Sequence, residues 1–168
     1  MNEAAIGVME NYSSLTPRIR HVHASGKKYF KDVGREKFKS GAYGCKIIPY
    51  IEDMPLYLGA ADIIITRCGA VTLSEIALVG VAAILVPSPN VVGNHQYKNA
   101  KHLENSGAAL LITEEELSRE SLEAAVRTLA ENPKSRSQLA KKIKEFATPS
   151  ARERIVDVIE EILKEKKD

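Results

Sequence analysis

Short apolar segments alternate with amphipathic segments along this chain of 168 residues. In the amphipathic segments the apolar positions recur every three or four residues, which is the pattern of a helix with one buried face. The run Ile63-Ile64-Ile65 is the clearest of the apolar segments and has the composition of a buried strand. Alternation of this kind predicts an α/β domain, with a parallel sheet covered by helices on both faces.

The element boundaries follow from this pattern together with turn and cap residues. We predict strands at Arg18–His23, Lys46–Pro49, Ile63–Thr66, Ala83–Val86 and Ala109–Ile112. We predict helices at Asn2–Ser14, Lys28–Lys39, Met54–Ala60, Val71–Val79, Asn94–Asn105, Ser118–Glu131, from Pro133 onward, and at Ala151–Lys166. Gly80 should end one helix, while Asn94 and Ser118 should cap others. Residues 1–168 therefore form a single predicted domain, with C-terminal helices over about 118–166.

The junction after the Ile63 strand is the most informative segment for function. A turn with one glycine, Gly69, leads into a helix that carries Glu75 in its second turn. Such a junction directs backbone N–H groups and the positive end of a helix dipole at one point, which suits an anion. Glu75 lies close enough to accept hydrogen bonds from neighbouring sugar hydroxyls. The segment therefore predicts a pocket for a nucleotide or a nucleotide sugar.

Composition and charge narrow the possible functions. Apolar residues make up 44% of the chain and charged residues 27%, which is normal for a globular protein. A net charge of +2 gives no support for nucleic-acid binding, and no segment has the length of a membrane span. Cys45 and Cys68 are interpreted as reduced cytosolic thiols, with a disulfide as the alternative. The four histidines show no metal-ligand spacing, although His21 and His23 should share one face of a strand.

The start of the chain departs from the usual α/β pattern. Such a domain normally opens with a strand whose following turn is a glycine-rich phosphate loop, but this sequence opens inside a helix and contains no GxGxxG. The first strand and its loop are expected to be missing or supplied from elsewhere. Because that strand would be central in the order 3-2-1-4-5-6, two strands should lack a neighbour. We therefore expect marginal stability, a rearranged sheet, or self-association through exposed strand edges.

Several motifs together resemble one family. Residues 67–75, which read RCGAVTLSE, are similar to the R-x-G-A-x-T-x-S-E signature of the MurG family of N-acetylglucosaminyltransferases. Further similar segments occur in the same order: His23 to Lys27 (HASGK), Tyr50 to Met54 (YIEDM), Ile84 to Pro89 (ILVPSP) and Asn94 to Ala100 (NHQYKNA). Cys68 stands where serine or alanine is commoner, and Val81-Ala82 replaces a G-x-P. The resemblance covers essentially the whole chain, but only the C-terminal half of such an enzyme.

The resemblance implies a fold and an activity. It implies that the chain is the Rossmann-like C-terminal half of a GT-B glycosyltransferase. In such an enzyme the C-terminal half binds UDP-GlcNAc. An N-terminal domain holds a lipid-linked muramyl-pentapeptide acceptor at the cytoplasmic face of the plasma membrane. That domain, a G-G-S loop and the general base are not in this sequence. The implied reaction inverts the anomeric centre and needs neither a metal nor another cofactor. This chain alone is expected to be inactive as a transferase.

The resemblance also assigns roles around the diphosphate and nucleoside. Gly69 would permit close approach, and the N–H groups of Ala70, Val71 and Thr72 would face the diphosphate. The Thr72 hydroxyl would contact a phosphate oxygen or, alternatively, only cap its helix. Glu75 would bind the ribose hydroxyls, the alternative being compensation of the helix dipole.

Other residues would contact the base and the sugar. The Ile51 backbone would contact the uracil edge, and Arg67 would contact the base or a phosphate, the alternative being a surface salt bridge. His95 and Gln96 would face the GlcNAc hydroxyls, where an amide offers both a donor and an acceptor; the alternative is that both are simply exposed. His23 and Ser25 would border the cleft.

Two other functions fit the same residues. The chain could be the donor-binding subunit of a two-chain glycosyltransferase that uses another acceptor and a separate partner chain. It could also be a non-catalytic fragment that has lost ligand binding; the presence of Thr72, Glu75 and Gln96 argues against this, whereas the missing loop argues for it.

Overall fold

A computed structural model describes residues 1–15, 19–33 and 44–165 of the chain. The helices are α1 (Asn2–Leu15), α2 (Lys27–Val33), α3 (Met54–Ala60), α4 (Ala70–Val79), α5 (His95–Asn105), α6 (Arg119–Glu131), α7 (Pro133–Lys144) and α8 (Ala151–Glu165). The strands are β1 (Val22–Ala24), β2 (Lys46–Ile48), β3 (Ile63–Thr66), β4 (Ala82–Leu85) and β5 (Leu110–Leu111). The predicted alternation of strands and helices is therefore confirmed.

All strand pairs are parallel, and they form two sheets. The larger sheet has the order β3-β4-β5, with Ile63 opposite Ala82 and Ile84 opposite Leu110. The smaller sheet pairs β1 with β2. Within the described residues, β1 and β3 each have a hydrogen-bonded neighbour on one side only. The expected interruption of the sheet at its first-strand position is thus present.

Strand β4 forms the centre of the core because both of its faces are buried. Its alternating residues pack into two different clusters. Ala83 and Leu85 pack with Ile76 of α4 and Ile143 of α7, whereas Ala82 and Ile84 pack with Leu122 and other residues of α1 and α6. The larger sheet is therefore covered by helices on both faces, as the sequence predicts.

Helix α1 packs against both sheets. Ala5 and Val8 belong to the cluster beneath β4, while Ile6 and Met9 pack with Ile47 of β2 in a separate cluster. These four side chains are all buried. One helix thus supports the strands on both sides of the interruption.

Several predicted boundaries and caps are confirmed. Gly80 ends α4 in the left-handed conformation, with φ of +75°. The Ser118 side chain accepts a hydrogen bond from the Ser121 amide at the start of α6. Helix α7 begins at Pro133 as predicted, and the preceding Asn132 side chain accepts a hydrogen bond from the Ser135 amide. These caps depend on neighbouring residues, so the local sequence is sufficient to predict them.

Other boundaries differ from the prediction. The first strand begins at Val22 rather than Arg18, and it runs to Ala24. Helix α2 is described only as far as Val33, so the rest of the predicted helix to Lys39 lies outside the described residues. Helix α8 exposes an apolar face that includes Ile155 and Ile159. No helix in the described ranges combines the length and apolarity needed to cross a bilayer.

Candidate functional site

The N-terminus of α4 lies at the carboxyl end of β3. Gly69 occupies the cap position with φ of −68° and makes no side-chain capping bond, and the first helical hydrogen bond runs from the Leu73 amide to the Gly69 carbonyl at 3.0 Å. Helix geometry therefore leaves the N–H groups of Ala70, Val71 and Thr72 without intrahelical acceptors. A side-chain carbon added at Gly69 would meet nothing closer than the Thr72 hydroxyl at 4.0 Å. The space beside Gly69, at the start of this helix, is thus open.

Thr72 and Glu75 lie three residues apart on α4 and so project on the same side of the helix. Thr72 is the third helical residue and does not act as the cap, because Gly69 holds that position. Glu75 lies beyond the first turn, where the helix dipole has little effect. Neither residue is fully exposed, and Glu75 makes no salt bridge within the part of the chain that the structure describes. Their predicted contacts to phosphate and ribose remain predictions.

Arg67 joins the carboxyl ends of three strands. Its Nη1 donates to the carbonyl oxygens of Val86 and Pro87, at 3.2 Å each, and to the Glu114 carboxylate. Val86 and Pro87 follow β4, and Glu114 follows β5. Arg67 therefore forms a salt bridge, which was the alternative to a ligand contact, and it also binds two backbone carbonyls. Its predicted contact to a base or a phosphate stays a prediction.

Glu114 is a residue of this site that the sequence pattern does not identify, since it lies in a run of three glutamates at 114–116. The hydrogen bond from Arg67 lowers the pKa of the Glu114 carboxyl below its usual value, and the charge of Arg67 acts in the same direction. The two residues are separated by 47 positions in the sequence. The acidic run that follows the last strand was the available signal, but it does not show which of its carboxylates meets an arginine.

The side chain of Gln96 connects two loops. Its Oε1 accepts hydrogen bonds from the amide of Cys68, at 3.2 Å, and from the amide of Ser88, at 2.9 Å. Since both partners are backbone N–H groups, the oxygen of the amide must face them. Only the Nε2 group remains for a ligand. The prediction that Gln96 offers a sugar both a donor and an acceptor is therefore narrowed to a donor.

His95 begins α5 and is exposed. Its Nδ1 lies 2.8 Å from the Val92 carbonyl, which can only accept, so Nδ1 carries the proton and Nε2 of the neutral ring is an acceptor. Asn94 occupies the predicted cap position of this helix, but the side-chain cap expected there is absent. Asn94 is left-handed, with φ of 52°, at the end of the short 3₁₀ turn Val92–Asn94, and its side chain makes no capping bond.

Two predicted features lie at or near the ends of the smaller sheet. Ile51 is half-buried in the loop that connects β2 to α3. His23 and Ser25, at the end of β1, form a polar cluster with Asn2: His23 Nε2 lies 3.1 Å from Asn2 Oδ1, and Asn2 Nδ2 donates to the Ser25 carbonyl at 3.1 Å. This cluster connects the start of α1 to β1. Among the described residues, no hydrogen bond or ion pair joins either feature to the α4 N-terminus.

The histidine pair is structural in character. The rings of His21 and His23 meet edge to face with centroids 6.2 Å apart, so the two residues share a face as predicted. Burial lowers the pKa of His21 to about 4, and it also lowers the pKa of His23. Both rings are therefore neutral at physiological pH.

The cysteines show no reactive character. Cys45 and Cys68 are buried and unpaired, as the reduced interpretation predicts. Burial raises the pKa of the Cys68 thiol to about 12, despite the nearby charge of Arg67. Among the described residues, no group of histidine, cysteine, aspartate or glutamate side chains is arranged to hold a metal.

Comparison with known proteins identifies the class of domain. The glycosyltransferase family 28 C-terminal domain matches residues 4–161, so the chain belongs to this family of glycosyltransferase domains. Within the family it is a C-terminal domain of the MurG type, as the following relatives show.

Two relatives and one solved structure illustrate the match. The UDP-N-acetylglucosamine–N-acetylmuramyl-(pentapeptide) pyrophosphoryl-undecaprenol N-acetylglucosamine transferase of Acetivibrio thermocellus is 37% identical over 145 residues, which is 86% of this chain and 39% of that protein. The enzyme of the same name from Leuconostoc citreum is 39% identical over the whole chain and 46% of its own length. The crystal structure of Acinetobacter baumannii MurG superposes with a TM-score of 0.75 and 30% identity, over 92% of this chain and 46% of that one. The chain thus spans less than half the length of these relatives.

Proposed function

We propose that this chain is the donor-binding part of an inverting glycosyltransferase that moves GlcNAc from UDP-GlcNAc to a lipid-linked muramyl-pentapeptide precursor of peptidoglycan. The observation that carries the proposal is the N-terminus of α4 at the carboxyl edge of the larger sheet, where three N–H groups have no intrahelical acceptor and the space beside Gly69 is open. A helix N-terminus of this kind favours a diphosphate. Glu75 lies on the same helix, and Gln96 contacts the turn that precedes it.

The proposed chemistry assigns a defined task to these groups. The acceptor hydroxyl oxygen forms a bond to the anomeric carbon while the bond from that carbon to the diphosphate oxygen breaks, and UDP leaves with the electron pair. Negative charge then grows on the diphosphate, and the N–H groups of residues 70–72 would stabilise it without having to reorganise. Glu75 would accept hydrogen bonds from the ribose hydroxyls, and the Ile51 backbone would contact the uracil edge.

The remaining parts of the reaction are proposed to lie outside this chain. An N-terminal acceptor domain or a partner chain would hold the lipid-linked acceptor and provide the general base, at the cytoplasmic face of the membrane. We expect no transfer when this chain is mixed with UDP-GlcNAc and a lipid-linked muramyl acceptor. Measurable turnover in a radiolabel transfer assay would contradict that expectation.

Nucleotide binding is the direct test of the donor role. Isothermal titration should give a measurable affinity for UDP, and affinities for GDP and ADP that are about tenfold weaker or worse, because the base-contacting backbone would be matched to uracil. Equal heats for the three nucleotides, or no heat for any of them, would remove the basis of the proposal.

A variant tests the contact to ribose. Glu75→Gln keeps the size of the side chain but removes its charge, and we expect UDP affinity to fall about tenfold, which corresponds to the loss of one charge-assisted hydrogen bond. Glu115→Gln is the matched control, since Glu115 is exposed in the turn after β5. An unchanged affinity in Glu75→Gln would show that Glu75 does not bind the ribose.

A further inference from the structure

The β3–α4 turn and the loop after β4 are held together by one side chain. Gln96 Oε1 receives the N–H groups of Cys68 and Ser88, which belong to these two segments and are separated by 20 positions in the sequence. Gln96 itself is half-buried in the first turn of α5. A single amide oxygen with two backbone donors therefore fixes how the two segments lie relative to each other.

The turn is also approached by a second residue of α5. Asn99 Nδ2 lies 3.4 Å from the Cys68 carbonyl oxygen. Helix α5 thus contacts Cys68 at its amide and at its carbonyl. The second contact is the longer one, so Gln96 provides the greater part of this restraint.

Cys68 directly precedes Gly69, the cap residue of α4. The Cys68–Gly69 peptide therefore determines the direction in which the N–H groups of residues 70–72 point. Gly69 has no side chain to hold its own backbone, and it makes no capping bond. Without an external restraint the turn would have more conformational freedom, and ordering it would reduce the affinity for an anion.

We propose that Gln96 is a positioning residue for the diphosphate site: its amide oxygen preorganises the α4 N-terminus, independently of any contact that its Nε2 group makes with a sugar. This inference rests on the proposed donor role and deepens it. It predicts that Gln96 matters for the binding of UDP, a ligand that lacks the GlcNAc that the Nε2 group is predicted to contact.

Gln96→Met tests the inference, because methionine has a similar length and cannot accept the two N–H groups. We expect UDP affinity to fall about tenfold by isothermal titration, while the much weaker affinity for uridine, measured by NMR titration, stays the same. Asn105→Met is the matched control, since it makes the same amide-to-thioether change at the exposed far end of α5 and should leave UDP binding unchanged. Unchanged UDP affinity in Gln96→Met would overturn the inference.

A measurement on the unaltered chain keeps the test decisive if Gln96→Met fails to fold. Amide hydrogen exchange followed by NMR should show that the Cys68 and Ser88 amides are protected before any nucleotide is added. Exchange at the rate of free amides in the absence of UDP would overturn the inference. Failure of the unaltered chain to bind UDP would instead contradict the proposed donor function, so the two failures are distinguishable.

Discussion

Replacement of Arg67 by methionine should separate a structural role from a ligand-binding role. The Nη1 group has two hydrogens and three acceptors, which are the Val86 and Pro87 carbonyls and the Glu114 carboxylate. The Arg67 and Glu114 side chains are 35% and 33% exposed, so their ion pair contributes about 0.5–1 kcal/mol. The hydrogen bonds to the two carbonyls add about 1 kcal/mol. Arg67→Met should therefore lower the free energy of unfolding by about 2 kcal/mol.

Thermal unfolding followed by circular dichroism measures this loss. For a domain of this length, 2 kcal/mol corresponds to a decrease in Tm of about 4–8 °C. Arg152→Met is the matched control, because Arg152 is exposed on α8, and its Tm should not change by more than about 1 °C. An unchanged Tm in Arg67→Met together with a large loss of UDP affinity would refute the reasoning and assign Arg67 to the ligand.

The pH dependence of the same variant provides a second check. Arg67 lowers the pKa of Glu114 in the folded state, so this pair stabilises the protein above the ordinary carboxyl pKa of 4.5 and ceases to do so as the pH falls. The difference in stability between Arg67→Met and the unaltered chain should therefore be largest at neutral pH. A difference that stays constant down to pH 3 would show that the ion pair does not contribute.

Three further predictions concern stability. Gly80→Ala should lower the free energy of unfolding by about 2 kcal/mol in urea denaturation, because φ is +75° and the new carbon would lie 3.3 Å from the Ala140 carbonyl oxygen. Gly107→Ala is the control: its φ is +66° but the space around it is open, so it should cost about 1 kcal/mol. Equal losses in the two variants would show that the close approach to Ala140 does not matter. Lowering the pH from 7 to 4.5 should destabilise the chain by up to about 3 kcal/mol, because unfolded His21 takes up a proton near its ordinary pKa of 6.5 while folded His21 does so only near 4. His21→Asn should flatten this dependence of stability on pH. A flat profile in the unaltered chain would contradict the prediction. Truncation after Ser150 should change Tm by less than about 2 °C, because α8 is exposed along its described side chains; a larger decrease in calorimetry would show that α8 packs on the domain.

The elements that local sequence determines could be predicted closely. Helix α3 and strand β3 have the predicted bounds, and Gly80 and Ser118 act as the expected helix signals. Each depends on residues within one or two turns of itself. Asn94 is the exception among the predicted caps. The preceding 3₁₀ turn places it in the left-handed region, which asparagine tolerates, and in this conformation its side chain makes no capping bond to α5.

The connections between elements could not be predicted from the pattern. Arg67 and Glu114 are separated by 47 positions, and Cys68 and Gln96 by 28, so their pairing depends on strand order and on the positions of the loops after β3, β4 and β5. The motif and the residue types indicated that Arg67 and Gln96 were polar and close to the candidate site. They did not indicate that Arg67 pairs with Glu114, or that Gln96 Oε1 accepts hydrogen bonds from backbone amides, which changes what Gln96 can offer to a ligand.

The packing of α1 has a consequence for how the domain unfolds. Two sheets that share no hydrogen bonds could open separately, each with its own free energy. Helix α1 opposes this, because Ala5 and Val8 are buried under one sheet while Ile6 and Met9 are buried against the other. Opening either sheet therefore exposes part of the same helix, and the two sheets unfold cooperatively for as long as α1 remains folded.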